Sequence, residues 1–205
     1  MLELGFKGTF AGGRLRLNGA LFSTDYEDLQ VQVFNSVAPV TQNIGKASIE
    51  GIELELLASP GNGWLVESSV SLLDASYDEI DTGNTLIGLS NDFERVPETT
   101  VSLGVSREIT LGANGTMVLR GDWSYRSETF NDAYNTPLLE TESTDLIDAS
   151  ARWLSADESW TVILSATNLT DEEYLVTGVY GTAFQSFEGM FDRGRQVRFE
   201  VRRDF

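Results

Sequence analysis

Hydrophobic and polar residues change places at every second position along this chain. In residues 14–21, Leu15, Leu17, Gly19 and Leu21 share one parity while Arg14, Arg16 and Asn18 take the other, which is the two-residue period of a strand with one apolar and one polar face. The period returns with Ile52, Leu54 and Leu56 against Glu53 and Glu55, and with Trp64, Val66, Val70 and Leu72 against Glu67, Ser69 and Ser71. Val101, Leu103 and Val105 oppose Ser102, Gly104 and Ser106; Met117, Leu119, Trp123 and Tyr125 oppose Arg120, Asp122, Ser124 and Arg126. Ile147, Ala149, Ala151 and Trp153 oppose Asp148, Ser150 and Arg152, and Trp160, Val162, Leu164 and Ala166 oppose Thr161, Ser165 and Thr167. The last run, Val197, Phe199, Val201 and Phe205 against Arg198, Glu200 and Arg202, reaches the final residue. With a first strand over residues 2–10, the pattern predicts an all-β, antiparallel chain of about nine strands of roughly ten or more residues, joined by hairpins and needing no helix.

The expected connections alternate in length. "AGG" at 11–13, "SPGNG" at 59–63, "EITLGANG" at 108–115 and "SADES" at 155–159 are short, whereas those near 27–43, 78–95, 128–142 and 171–192 are long. Short and long ends therefore fall on opposite margins of the sheet. Strands with one apolar face suit two architectures: a sandwich, where apolar faces meet, or a membrane barrel, where they meet lipid. Spanning strands tilted at about 45° need roughly 9–11 residues, against about 5–6 in globular proteins, and the runs here are of the longer kind. Trp64, Trp153 and Trp160 sit beside short turns and Trp123 lies toward a long connection, where aromatics at the two membrane interfaces belong. The alternative reading of each Trp is a plug in a sandwich core.

Charge and composition narrow the function classes. The net charge is −18, from 32 acidic against 14 basic residues, which disfavours nucleic acid and other polyanions as partners. The chain has no Cys and no His, so thiolate metal sites, thiol nucleophiles and Ser-His-Asp chemistry are absent. No stretch approaches the roughly 20 apolar residues of a spanning helix. The N-terminus "MLELGFKGTF" has no apolar signal core, so either the protein is cytosolic or its true start lies upstream.

Four stretches carry a more specific likeness. "LELGFKGTFAGGRLRLNGALFSTDYEDLQVQVF" and "NIGKASIEGIELEL", then "SATNLTDEEY" with its Asn-Leu-x-Asp-x-x-Tyr core, and finally "VYGTAFQSFEGMFDRGRQVRFEVRRDF" follow one another in this order. Together they resemble the C-terminal part of the barrel of TonB-dependent outer-membrane receptors. The resemblance implies a segment of an antiparallel transmembrane barrel, residues 1–205 being part of a larger barrel of about 22 strands with a plugged lumen. It implies a Gram-negative outer-membrane location, with short turns in the periplasm and long loops outside. Counting back from the C-terminus puts Met1 on the long-loop side, whereas complete barrels have an even strand number and both termini in the periplasm. The plug and the TonB-contacting segment are therefore expected elsewhere, and the chain alone is expected not to form a working transporter.

The resemblance also assigns expected roles. Val197, Phe199, Val201 and Phe205 match the terminal strand that the barrel-assembly machinery reads; Arg203 departs from it, standing where an apolar residue is usual. The implied partners are outer-membrane lipid and lipopolysaccharide, the TonB complex acting through the missing N-terminal part, and a scarce large nutrient such as an iron–siderophore. Loop aromatics Phe130, Tyr134, Tyr180, Phe184, Phe187 and Phe191 are candidates for ligand contact, with mutual packing as the alternative. Arg120, Arg126 and Arg152 share the lumen parity with Glu53, Glu55, Asp122 and Asp148, and either bind plug or anionic ligand or form a lattice of ion pairs along the wall. Asp145 and Asp148 fall on opposite faces and make no catalytic pair. The acidic runs Asp78-Glu79-Ile80-Asp81 and Asp171-Glu172-Glu173 read as solvated loop charge, with calcium binding the sharper alternative. No cofactor and no covalent chemistry are implied. Two other classes share the alternation: a passive porin or adhesin barrel, and a soluble acidic β-sandwich that binds through its loops.

Overall fold

The structure is a computed structural model, and it describes residues 1–35, 38–80, 87–181 and 185–205. In chain order the strands are β1 (Leu2–Phe10), β2 (Leu15–Asn35), β3 (Ala38–Gly61), β4 (Trp64–Ile80), β5 (Thr99–Thr110), β6 (Thr116–Arg126), β7 (Thr129–Phe130) and β8 (Glu140–Thr141). They continue with β9 (Thr144–Leu154), β10 (Trp160–Thr167), β11 (Leu175–Gly181), β12 (Ser186–Phe191) and β13 (Gln196–Arg203). Among the described residues the only helices are single 3-10 turns at Ala11–Gly13, Gly112–Asn114 and Pro137–Leu139. Nine strands form one antiparallel sheet in the order β1-β2-β3-β4-β5-β6-β9-β10-β13, the number that the alternation predicts, and the four short strands pair off separately as β7–β8 and β11–β12. The fold is all-β and forms part of a barrel: β1 and β13 are the two sheet edges and do not pair with each other.

Register turns the alternation into two continuous faces. One row runs Leu4, Leu21, Ile52, Leu72 across four strands, and another runs Leu17, Leu56, Ser68, Leu103, Trp123, Ile147. No second sheet covers this face among the described residues, so Leu164 and Phe199 remain 51% and 68% exposed, respectively. A sandwich would bury them. On β4 the apolar band runs nine residues from Trp64 to Leu72, about 26 Å along the strand, which matches the roughly 9–11 residues of a tilted spanning strand. Above Leu72 the same face turns polar in the row Ser23, Glu50, Asp74.

The expected long connection over residues 27–43 is instead strand. β2 and β3 run 21 and 24 residues, about twice what spanning requires, and their hairpin rises beyond the apolar band. The signal is the continued alternation Leu29, Gln30, Val31, whose apolar members pack on a buried cluster. A register shift at Tyr26–Leu29 and a bulge at Gly45 bend this extension. Gly45 has φ +131°, and a Cβ there would collide with the Glu79 carbonyl, so no side chain fits. Two short connections are tighter than expected, since β3 runs through Gly61 and β5 through Thr110. Of the other long connections, the one near 128–142 holds β7–β8 and the one near 171–192 holds β11–β12.

Compact packing is concentrated at the long-loop end. Ile44, Ala47, Tyr77, Ile87 and Ala133 are buried together, with Leu29, Val31, Ile80, Phe93 and Tyr134 packed around them. Tyr77 and Phe93 meet ring to ring at 4.4 Å.

Candidate functional site

The long loops are tied into one cap by side chains that satisfy backbone groups of their neighbours. The 87–98 segment joins the 127–143 segment through Asn91 Nδ2 donating to the Ala133 carbonyl at 2.9 Å. A reciprocal pair reinforces that link, with the Asp92 amide donating to Asn135 Oδ1 at 2.6 Å and Asn135 Nδ2 donating to the Asp92 carbonyl at 3.0 Å. Arg95 then reaches the β11–β12 hairpin, its guanidinium donating to Thr177 Oγ1 at 3.0 Å. Buried Asn131 and Thr141 complete the seam: Asn131 Nδ2 donates to the Leu139 carbonyl and to Thr141 Oγ1, whose hydroxyl donates to the Leu175 carbonyl at 2.8 Å. Buried polar groups with every bond made hold a loop in one arrangement, because losing a partner strands the other without water.

Burial also shifts titrations in the cap. The Tyr77 phenol is pushed up to about 12 by burial, with the Glu94 charge adding to it. The Glu94 carboxyl is itself raised by burial, against the opposing pull of Arg95.

The candidate aromatics distribute over separate elements of the cap. Phe130 lies half-buried in β7, and its carbonyl accepts from the Arg95 amide at 2.9 Å. Tyr134 packs on the buried cluster. Tyr180 and Phe187 stack across the β11–β12 hairpin with centroids 4.6 Å apart, and Phe191 is exposed. Phe184 lies outside the described residues. The sequence pattern missed a groove of about 390 Å³ beneath this hairpin, floored by Leu139 and Leu175 and rimmed by Glu140, Glu142, Glu173 and Glu188. The signal that could have revealed it is the pair Gly178 and Gly189, which face each other in register. A Cβ on Gly178 would crowd Leu139 and one on Gly189 would crowd Leu175, so the hairpin lies close over them.

The Asn-Leu-x-Asp-x-x-Tyr stretch closes the base of the last long loop. Asn168 bonds both ways with Glu172, its Oδ1 accepting from the Glu172 amide and its Nδ2 donating to the Glu172 carbonyl. Asp171 accepts from the Arg195 amide at 2.7 Å, and Arg195 returns a bond to the Leu169 carbonyl. Asp148 accepts from the Asn168 amide, while Asp145, on the opposite face, accepts from Trp123 Nε1 at 3.0 Å. The second acidic run is thus engaged in loop structure. In the first, Asp78 accepts from Ser48 and Glu79 pairs with Lys46, while Asp81 lies outside the described residues. Among the described residues no group of three or more acidic side chains is placed to hold a metal ion.

On the inward face Arg120 is the organising charge. Its Nη1 lies 2.7 Å from Glu67 and its Nη2 2.7 Å from Asp122. Gly104 stands between those carboxylates, and a Cβ there would lie 2.7 Å from the guanidinium, so the glycine leaves the space that Arg120 crosses. Glu55 accepts from Asn18 at 3.1 Å. Among the described residues Arg126, Arg152 and Glu53 form no ion pair, and Arg126 Nε is buried without a hydrogen-bond partner. Among the described residues these charges therefore form one triad, with a separate Arg198–Glu200 pair on β13, and not a continuous net.

The terminal strand pairs Val197 with Ala166, Phe199 with Leu164, Val201 with Val162, and Arg203 with Trp160. Trp153 Nε1 donates to the Asn114 carbonyl at 2.8 Å, anchoring that ring at the short-turn margin. Among the described residues an apolar band that no second sheet covers, nine paired strands and a cap of cross-tied loop segments stand together. The family described as TonB dependent receptor-like, beta-barrel, matches residues 2–169.

The chain belongs to the TonB-dependent receptor family. Members are proteins of the Gram-negative outer membrane, and that is where the chain is placed. It is 24% identical over 184 residues to the probable TonB-dependent siderophore receptor PiuA of Acinetobacter baumannii, covering 84% of this chain and 23% of PiuA. In structure it is similar to the ferric yersiniabactin uptake receptor FyuA of Yersinia pestis, with a TM-score of 0.81 and 23% identity over 99% of this chain and 29% of that one. The pyoverdine receptor FpvA of Pseudomonas aeruginosa superposes with a TM-score of 0.70 and 23% identity, over 99% of this chain and 29% of FpvA. The chain thus spans about a quarter of the length of PiuA.

Proposed function

We propose that residues 1–205 are the C-terminal barrel portion of a receptor that takes up an iron–siderophore across the outer membrane, energised through TonB by way of a plug and N-terminal segment outside this sequence. The observation that carries this reading is the ordered cap. Three long-loop segments, cross-tied by Asn91, Asn135, Arg95 and Thr141, stand over a membrane-spanning wall, and such pre-ordering suits binding of a large rigid chelate. PiuA, FyuA and FpvA, named for siderophore uptake or binding, support it.

Within this reading Tyr180 and Phe187, stacked over the acidic-rimmed groove, and Phe130 and Tyr134 in the neighbouring loop present the ligand-facing aromatic surface, and Phe184 belongs with them by sequence. Trp64, Trp153 and Trp160 mark the periplasmic interface and Trp123 the outer one. Val197, Phe199, Val201 and Phe205 form the strand recognised by the assembly machinery, lipopolysaccharide surrounds the outer half, and Arg120 with Glu67 and Asp122 stiffens the wall toward the plug. Transport involves no covalent chemistry.

The test uses the native full-length protein in cells starved of iron. Uptake of radiolabelled iron supplied on catecholate, hydroxamate and phenolate chelates is compared in strains with and without the receptor gene and with and without TonB. Receptor-dependent uptake that vanishes without TonB supports the proposal. Uptake that persists without TonB means a passive pore and overturns it.

A further inference from the structure

The outward face of the sheet keeps its opposite charges at opposite margins. Among the described residues of the nine strands its carboxylates occur only toward the long loops, with Glu50 and Asp74 in the first polar row, Asp25 above it, and Asp145 opposite Tyr125. From that row down to the short turns, the only outward-facing cations on the nine strands among the described residues are Arg107 on β5 and Arg203 on β13. Both lie at the short-turn margin, and both are paired in register with a Trp that opens a strand: Arg107 with Trp64, Arg203 with Trp160.

Each guanidinium lies over its partner's ring, Arg107 at 5.1 Å from the Trp64 centroid and Arg203 at 5.0 Å from that of Trp160, with Phe205 at 4.7 Å from Arg203 as well. Neither has a carboxylate partner among the described residues. An arginine on a face immersed in hydrocarbon is costly, but at the margin its stem lies along the apolar band while its head reaches the headgroup layer. Stacking occupies the flat face of the guanidinium and leaves its N–H edge free, the edge that meets a phosphate with two parallel bonds. The chain's net charge of −18 provides no general attraction for anions, so capture has to be local.

We infer that Arg107 on Trp64, and Arg203 between Trp160 and Phe205, are two binding sites for the headgroup phosphate of glycerophospholipids in the leaflet that meets the short turns. The opposite leaflet meets the carboxylates of Asp25, Glu50 and Asp74, which repel a bare phosphate. The two margins therefore select different lipids and hold the sheet at a fixed depth.

The native receptor, purified from outer membranes in detergent, is titrated with phosphatidylglycerol and with phosphate-free diacylglycerol, and bound lipid is counted by native mass spectrometry. Phosphatidylglycerol is expected to bind in preference to diacylglycerol. Arg107→Ala and Arg203→Ala each weaken one of the two sites roughly fivefold and leave the other intact, so each single variant keeps one tightly bound phosphatidylglycerol and the double variant keeps none, whereas Arg198→Ala, on the inward parity of β13, leaves both sites unchanged. Should the terminal-strand variant fail to assemble, Arg107→Ala alone carries the test. Equal binding by Arg107→Ala and wild type, or an equal loss on Arg198→Ala, overturns the inference.

Discussion

The wall and the cap are built from the same strands yet organised against different solvents. Along the lower half of β3 and β4 the outward apolar side chains face out of the sheet and, among the described residues, pack on no second layer, while the inward face carries Glu55 and Glu67, the latter paired with Arg120 of β6. Where the same two strands continue upward, Ile44 and Ala47 are fully enclosed and loop residues Ile87 and Ala133 close over them. Water drives the second arrangement, because apolar surface in the cap has only other apolar surface to hide against. In the wall, lipid accepts that surface, and the backbone ladder has to satisfy every polar group by itself.

Four variants break or sharpen this contrast. Ile44→Ala empties the centre of the cap and is expected to cost about 2–5 kcal/mol of loop stability. Limited proteolysis of intact cells at Lys46 and Arg95 should then appear while heat-modifiable migration of the barrel persists; loss of both together would erase the distinction between the regions. Leu103→Arg, in the middle of the apolar band, is expected to cost about 2–4 kcal/mol and to lower the yield of folded, heat-modifiable protein without opening the cap. Arg120→Ala removes the wall triad. Its partners are more than a third exposed, so the expected loss is about 1 kcal/mol, and a double-mutant cycle with Glu67→Ala in urea unfolding measures the coupling.

The smallest effect concerns the short turn 155–159. Hydroxyls of Ser155 and Ser159 donate to Asp157 and hold its carboxyl at about 2, below its ordinary value of 3.8. A depressed carboxylate contributes stability that is whole above the unfolded value and is lost as pH falls from about 4 toward 2. The protection of the Trp160 amide, whose N–H is bonded to Ser155 Oγ, measured relative to its intrinsic exchange rate at each pH, should fall in that window in the wild type and stay level across it in Asp157→Asn. Unchanged protection down to pH 2 would dissociate the turn from Asp157.

Legibility followed the range of the interaction. The wall was readable because its signal is local: parity puts Leu54, Leu56 and Val70 on one face and Glu53, Glu55 and Ser69 on the other whatever the rest of the chain does. Residues 27–43 read as a connection because charged Glu27 and Asp28 interrupt the alternation just where a bulge resets the register. The groove under the β11–β12 hairpin was invisible because Leu139 and Leu175 come from loops that meet only in space. The triad around Arg120 lay between: the inward parity of Glu67 and Arg120 was plain, while their contact required the register of three strands and the space left by Gly104.

The sequence by itself determined the sheet, its two faces, the number of spanning strands and the margins at which aromatics gather, since a period of two and the placement of turns need no long-range information. The tertiary structure alone decided which loops pack together, where the groove lies, and that Arg107 and Arg203 each come to rest on a tryptophan. Those outcomes depend on pairing between strands and on burial among loops distant in sequence, and alternation within a single strand carries no record of either.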